Sequence, residues 1–272
     1  MFSAVTDDGV ILAGKVTGPD DAPPVIFIHA FPTNRTIWQA QVAALSGRAR
    51  TITYDVRGFG QSQAPGNADA YGQDRSVADL LAVLDHLGIE RALLCGLSMG
   101  GNIALNFALR HPGRVAALVI SGTGSGTGNQ AEFIALVESW AGTAEKDGMD
   151  AFAEAIMAQP IFASYAGRGA AERRHLHDLI TANSVAGVAH TCRRVLAGRP
   201  PIDALVPGLR RLACPTTVVV GANDAAVMTA SRIMAETIPG ARFLCVPGCG
   251  HFNNIEHPAA LNGVLLGHLE GL

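Results

Sequence analysis

Charge is scarce in this chain. Asp, Glu, Lys and Arg together make up 16% of its 272 residues, against about 25% in an average soluble protein. The formal balance is −3 with histidines neutral, and no basic run is interleaved with aromatics. Such a chain has no electrostatic footprint for nucleic acid or for an anionic membrane surface, so neither is an expected partner. Long apolar runs are missing too: none approaches the roughly 20 residues that cross a bilayer. The first stretch, "MFSAVTDDGVILAGKV", carries Asp7 and Asp8 and lacks a basic segment followed by a long apolar one, so no signal peptide is read. Cysteine is sparse and odd in number. Cys95, Cys192, Cys214, Cys245 and Cys249 include no C-x-x-C pair, and three of them sit in or beside apolar strand candidates. Buried free thiols and a cytoplasmic location are therefore expected.

Apolar residues, by contrast, make up 49% of the chain. That is enough for one large domain, or for a core domain with an insertion. They fall in β-branched runs separated by helical patterns. "PVIFIH" (24–29), "RTITYD" (50–55), "RALLCGL" (91–97) and "RVAALVIS" (114–121) read as buried strands. Between them, "TIWQAQVAAL" (36–45) and "DRSVADLLAVLDHLG" (74–88) read as helices. In the second, Val77, Leu80, Leu81 and Leu84 stand at helical spacing and Gly88 suits a C-terminal stop. Alternation of this kind implies an α/β fold, a mostly parallel sheet with helices on both faces. It stops after Ser121. "GTGSGTGN" (122–129) reads as a flexible linker, because it lacks the spacing and the Lys-Ser/Thr ending of a phosphate cradle. From about 130 to 206 the pattern is helical only. It resumes with a strand in "CPTTVVVGAND" (214–224), a helix near 229–237, a strand in "ARFLCVPG" (241–248) and a last helix near 256–270. The expected organisation is a core of 1–122 and 207–272 with a helical cap insertion at 123–206.

"CGLSMGG" (95–101) places Ser98 between glycines, where a strand ends and the helix "GNIALNFALR" begins. A serine hydroxyl is a weak nucleophile near neutral pH. It needs a base, a group to orient the base, and donors for the oxyanion that follows attack. Ligands of a parallel sheet bind at the carboxyl ends of its strands, so those partners should follow other strands. Asp224 does, in "GANDAAV", and so does His251, in "PGCGHFNNIEHP". Taken singly, each has an ordinary reading: a turn serine, a loop aspartate, a surface histidine. Together they stand in the order nucleophile, acid, base of strand–turn–helix hydrolases. His251 lies 27 positions after Asp224, and the intervening stretch fits one helix and one strand, which places the two on neighbouring strand ends.

These motifs resemble the α/β-hydrolase fold superfamily over essentially the whole core. "HAFP" (29–32) resembles its H-G-x-P loop, with Ala30 in place of the usual glycine. The resemblance implies an oxyanion hole made by the backbone N–H groups of Phe31 and Met99. "YDVRGFGQS" (54–62) resembles the family's D-x-R-G-x-G-x-S turn, which marks Asp55, a rival strand-end acid, as a loop-fixing residue. "TYDVRGFGQS", "CGLSMGGNIA" and "HFNNIEHP" look most similar to bacterial 3-oxoadipate enol-lactonases and related esterases. The resemblance thus implies a carboxylic ester hydrolase, an esterase or lactonase acting on a small-molecule ester or lactone through an acyl-enzyme. His29, Trp140 and Phe252 are the expected substrate contacts. No cofactor is expected and no metal: His175 and His177, beside Arg173 and Arg174, have no third ligand at clear spacing and read as a solvated helix. Two alternatives keep the same triad, a carbon–carbon bond hydrolase of meta-cleavage products and a hydrolase-fold small-molecule receptor.

Overall fold

The computed structural model describes residues 1–124 and 129–272. An eight-stranded sheet forms its centre: β1 (Phe2–Val5), β2 (Ile11–Thr17), β3 (Pro24–Ile28), β4 (Arg50–Tyr54), β5 (Ala92–Leu97), β6 (Val115–Ser121), β7 (Thr216–Gly221) and β8 (Arg242–Val246). The spatial order is β1-β2-β4-β3-β5-β6-β7-β8. β1 pairs antiparallel with β2, and β2 with β4; all other pairs are parallel. β5 is buried along its whole length, as a strand covered on both faces must be, and its sequence "ALLCGL" is correspondingly apolar at both parities. The parallel strands match the sequence pattern to within a residue or two. The antiparallel β1 and β2 do not stand out in that pattern.

Helices α1 (Gln39–Ala44), α2 (Gln73–His86) and α3 (Met99–Arg110) alternate with the first parallel strands. α3 is buried from Met99 to Ala108 and packs on β3, β5 and β6. After β6 the described chain is helical up to β7. α4 (Gln130–Met157) is broken at Gly148, and α5 (Pro160–Ala166) and α6 (Ala170–Thr181) follow. α7 (Val185–His190) runs on into a π-helical turn at Thr191–Leu196, and α8 (Ile202–Leu209) leads back to the sheet. The expected core boundary at 206/207 falls inside α8, and the expected linker at 122–129 includes residues 125–128, which lie outside the described residues. α9 (Ala225–Thr237), α10 (Asn253–Glu256) and α11 (Pro258–Leu269) complete the chain.

The helical insertion docks on the loops that follow β3 and β4. Asn183, just after α6, is the buried link. Its side-chain NH₂ donates to the Pro32 carbonyl at 2.7 Å, and its oxygen accepts from the Gly60 N–H at 2.8 Å. Both are backbone groups of loops at the carboxyl edge of the sheet, so one amide fixes the insertion over that edge.

Arg57 performs a similar task on the core side. Its guanidinium is 3% exposed and forks onto Asp79 of α2 at 2.6 and 2.9 Å and onto Asp8 of the β1–β2 turn at 2.6 and 2.9 Å. Asp79 is 1% exposed. Removing one partner of a buried pair leaves an uncompensated charge, which costs about 3–5 kcal/mol. Arg57→Met should lower the unfolding free energy by about that amount, read from urea denaturation, and Arg57→Met/Asp79→Leu should recover much of it. A loss of about 1 kcal/mol or less, typical of an exposed pair, would show that the network is not buried in solution.

Candidate active site

Three strand ends bring the expected catalytic groups together. Ser98 follows β5 and opens α3 with φ 54° and ψ −111°. Among the described residues it is the one non-glycine residue with positive φ. The flanking glycines follow from how tightly the turn is packed. A Cβ at Gly96 would lie 2.2 Å from the Gly100 carbonyl oxygen, and one at Gly100 would lie 2.0 Å from that of Ile28. A side chain at Gly96 would push α3 off β5, and one at Gly100 would push α3 off β3. The Ser98 N–H donates to the Ser121 carbonyl of β6 at 2.8 Å, which anchors the turn to the sheet.

Asp224 follows β7 at the start of α9, and His251 follows β8. The imidazole Nδ1 and Asp224 Oδ2 are 2.6 Å apart, with Asp224 and His251 3% and 2% exposed. A carboxylate only accepts, so this contact assigns the ring proton to Nδ1 and leaves Nε2 as the free acceptor. The two loops are tied by backbone as well: Ala222 N–H donates to the Val246 carbonyl at 2.9 Å, and Asn223 N–H to that of Cys249 at 2.8 Å. Ser98 and His251 line one cavity of about 210 Å³. Cys249, near His251, is no rival nucleophile, because burial pushes its thiol up to about 12.

Phe31 and Trp140 also line this cavity, stacked at 6.2 Å. The loop bearing Phe31 is braced through the carbonyl of Ala30. That oxygen accepts from Thr33 N–H at 2.9 Å, from Thr33 Oγ1 at 2.9 Å and from His29 Nδ1 at 3.0 Å. In a planar trans peptide the N–H points opposite to the C=O, so holding Ala30 O turns the Phe31 N–H the other way. Met99 is the first residue of α3, and the N–H of a first helical residue has no acceptor in its own helix.

Two expected substrate contacts are corrected by their surroundings. His29 is fully buried and does not line the cavity; both its ring nitrogens are occupied, Nδ1 by Ala30 O and Nε2 by the Val56 N–H at 2.9 Å. Burial lowers its pKa and keeps the ring neutral, so it is a brace for the loop. Phe252 is also fully buried. It stands behind the cavity wall, its ring 5.5 Å from both Phe162 and His251. Asp55 is buried in its own turn, accepting from Arg35 N–H at 2.8 Å and Gln61 N–H at 2.9 Å and pairing with the Arg35 guanidinium. His175 meets the Tyr165 hydroxyl at 2.9 Å. Among the described residues no cluster of three or more His, Cys, Asp or Glu could hold a metal ion, and no helix is long and apolar enough to cross a membrane.

Sequence reasoning missed Glu256, Phe133, Phe162 and Arg199. The last three line the cavity from the insertion. Glu256 straddles His251: its carboxylate accepts from Gly250 N–H at 2.9 Å and from Phe252 N–H at 3.0 Å, the residues on either side of that histidine. Ser164 of α5 and Arg168 reach the same carboxylate at 3.1 and 2.8 Å. An acid five residues beyond the histidine was the available signal.

An elbow serine sharing a cavity with a carboxylate-held histidine, at the carboxyl edge of a largely parallel sheet, is the layout of a strand–turn–helix hydrolase. A sequence model of the alpha/beta hydrolase fold matches residues 23–258, and the chain belongs to that family. It is 27% identical over 272 residues to 3-oxoadipate enol-lactonase 1 of Acinetobacter baylyi, covering 97% of this chain and 95% of that one. The enol-lactonase structure from Burkholderia xenovorans superposes with a TM-score of 0.87 at 28% identity, over 99% of this chain and 100% of that one. A malate-bound thermophilic esterase from Thermogutta terrifontis gives 0.88 at 29% identity, over 99% and 98%.

Glu256→Gln keeps the size of the side chain but leaves one oxygen where two accepted. The reaction of Ser98 with a fluorophosphonate depends on where His251 sits, since a placed general base contributes about 10²–10⁴-fold. The variant should label at least about tenfold more slowly at unchanged far-UV circular dichroism. Labelling at the wild-type rate would reduce Glu256 to a packing residue.

Proposed function

We propose that the protein is a serine hydrolase that cleaves a small carboxylic ester or lactone through an acyl-enzyme on Ser98. Carboxylic ester hydrolysis is the class shared by the enol-lactonase and esterase relatives. The observation that carries the mechanism is the 2.6 Å contact of His251 with Asp224 behind a cavity that His251 shares with Ser98.

His251 Nε2 takes the proton of Ser98 Oγ as that oxygen attacks the substrate carbonyl carbon. The resulting oxyanion accepts from the N–H groups of Phe31 and Met99. Collapse of the tetrahedral adduct expels the alkoxide, which takes the proton back from His251. A water, deprotonated by the same nitrogen, then attacks the acyl-enzyme and releases the acid and Ser98. Asp224 holds the Nδ1–H tautomer and faces the imidazolium as it forms. Every proton has a donor and an acceptor among these residues, so no step calls for a metal or a cofactor. The insertion acts as a cap: Phe133, Trp140, Phe162 and Leu196 give the cavity apolar walls, within which the oxyanion donors act strongly. At about 210 Å³ the cavity is smaller than the roughly 300 Å³ at which drug-sized sites begin, so the substrate is small.

The test is turnover of 4-nitrophenyl acetate and butanoate. Ser98→Ala should abolish both turnover and fluorophosphonate labelling. Asp224→Asn should lose several orders of magnitude, about 10⁴-fold in the serine-protease template, while remaining folded. Labelling of Ser98→Ala at the wild-type rate would remove Ser98 from its role. A single slow turnover would favour a receptor, and cleavage of dienones in place of esters a carbon–carbon hydrolase. Prolonged chelation should leave ester turnover unchanged; a loss restored by zinc would overturn the metal-free mechanism.

A further inference from the structure

We propose that the substrate carries a carboxylate and that Arg199 receives it in the catalytic cavity. The inference rests on the hydrolase reading and narrows it to anionic esters and lactones.

Arg199 lies between the π-helical turn and α8 and lines the same cavity as Ser98 and His251. Among the described residues no aspartate or glutamate lines that cavity. The nearby arginines are differently placed: Arg193 is paired with Glu138 and Glu145, and Arg194 with Asp69. Arg199 has no ion pair among the described residues. Its Nε is buried and has no hydrogen-bond partner there, although an N–H in that position ordinarily finds one. The guanidinium is held instead over the Phe133 ring at 4.4 Å from the centroid, which fixes its plane without supplying an anion. Desolvation pulls its pKa down to about 10, so it stays charged at neutral pH.

A desolvated cation without an anion is costly. An anion brought by the substrate relieves that cost at the moment of binding. The planar fork of a guanidinium matches a carboxylate through two parallel N–H···O bonds. Arg199 is the one cationic side chain on the cavity wall among the described residues. One positive charge balances one carboxylate and leaves a phosphate dianion under-neutralised. The apolar remainder of the wall, with Phe31, Trp140, Phe162 and Val227, suits a short carbon skeleton between the carboxylate and the reacting carbonyl. Arg199 therefore selects among substrates, whereas the apolar wall accepts any of similar shape.

Two measurements test this. In the first, glutarate and inorganic phosphate are titrated calorimetrically into Ser98→Ala. Glutarate should bind, more tightly than phosphate, and adding Arg199→Met should weaken it about 10- to 100-fold, the range for a hydrogen-bonded charge. In the second, kcat/KM is measured for matched esters. 4-Nitrophenyl hydrogen glutarate is compared with 4-nitrophenyl pentanoate, which places the charge on the acyl side. 4-Acetoxybenzoate is compared with 4-methylphenyl acetate, which places it on the leaving group. The anionic-to-neutral ratio of one pair should fall about 10- to 100-fold in Arg199→Met, and the pair affected locates the carboxylate. Arg199→Lys, which keeps the charge but not the fork, should retain part of the ratio and serves if the methionine variant fails to fold. Unchanged ratios with glutarate binding indifferent to Arg199, or tighter binding of phosphate, would overturn the carboxylate site and leave the hydrolase standing. Failure to cleave all four esters would overturn the hydrolase, and the glutarate titration would still decide the anion site.

Discussion

The site depends on the close approach of backbone to backbone at the turn between β5 and α3. Ser98 sits at φ 54°, a region that costs a residue with a side chain about 1–3 kcal/mol. The surrounding packing holds it there: α3 lies against β3 closely enough that a Cβ at Gly100 would meet the Ile28 carbonyl at 2.0 Å. This conformation exposes the serine side chain at the sheet edge while the Ser98 N–H stays bonded to β6. The preference for small residues around the serine is thus a packing requirement first and a catalytic one by consequence.

Buried carboxylates organise the loops around that turn, and their partners divide the work. Asp55 is bonded by its own turn and by Arg35, which leaves it no role toward the cavity. Asp224 faces a histidine and fixes its tautomer. Glu256 faces neither nucleophile nor base directly; it accepts the backbone N–H groups on both sides of His251 and is itself held by Ser164 and Arg168 from the insertion. The insertion therefore touches the His251 loop and also walls the cavity.

The insertion also sets the chemical character of the cavity. Its aromatic and aliphatic residues lower the local polarity, which strengthens every donor aimed at a developing charge. The same low polarity makes Arg199 conspicuous. Core and insertion thus divide the cavity: the strand ends supply Ser98 and His251, and the helices between β6 and β7 supply most of the walls.

The parallel core and the three strand-end groups were legible in the sequence because they rest on local requirements. Apolar runs of strand length, helical spacing between them and glycines around a turn serine are all written within windows of a few residues. The order of Ser98, Asp224 and His251 followed from where those runs end. The antiparallel β1 and β2 were not legible: β1 is four residues at the sheet edge, and Gly14 and Lys15 interrupt the apolar pattern of β2. Nor were the roles of His29 and Phe252 evident, because a ring beside a catalytic loop reads the same whether it faces the cavity or stands behind it. Glu256 and Arg168 meet across 88 residues and Asn183 and Pro32 across 151, distances over which no periodicity carries information. Arg199 carries no local signal that sets it apart from Arg193 and Arg194 a few residues before it. By itself the sequence determined the sheet and the points at which chemistry leaves it, because backbone geometry is local. Only the tertiary structure decided which buried groups find partners and which are left facing the substrate, because partnership depends on what distant segments bring into contact.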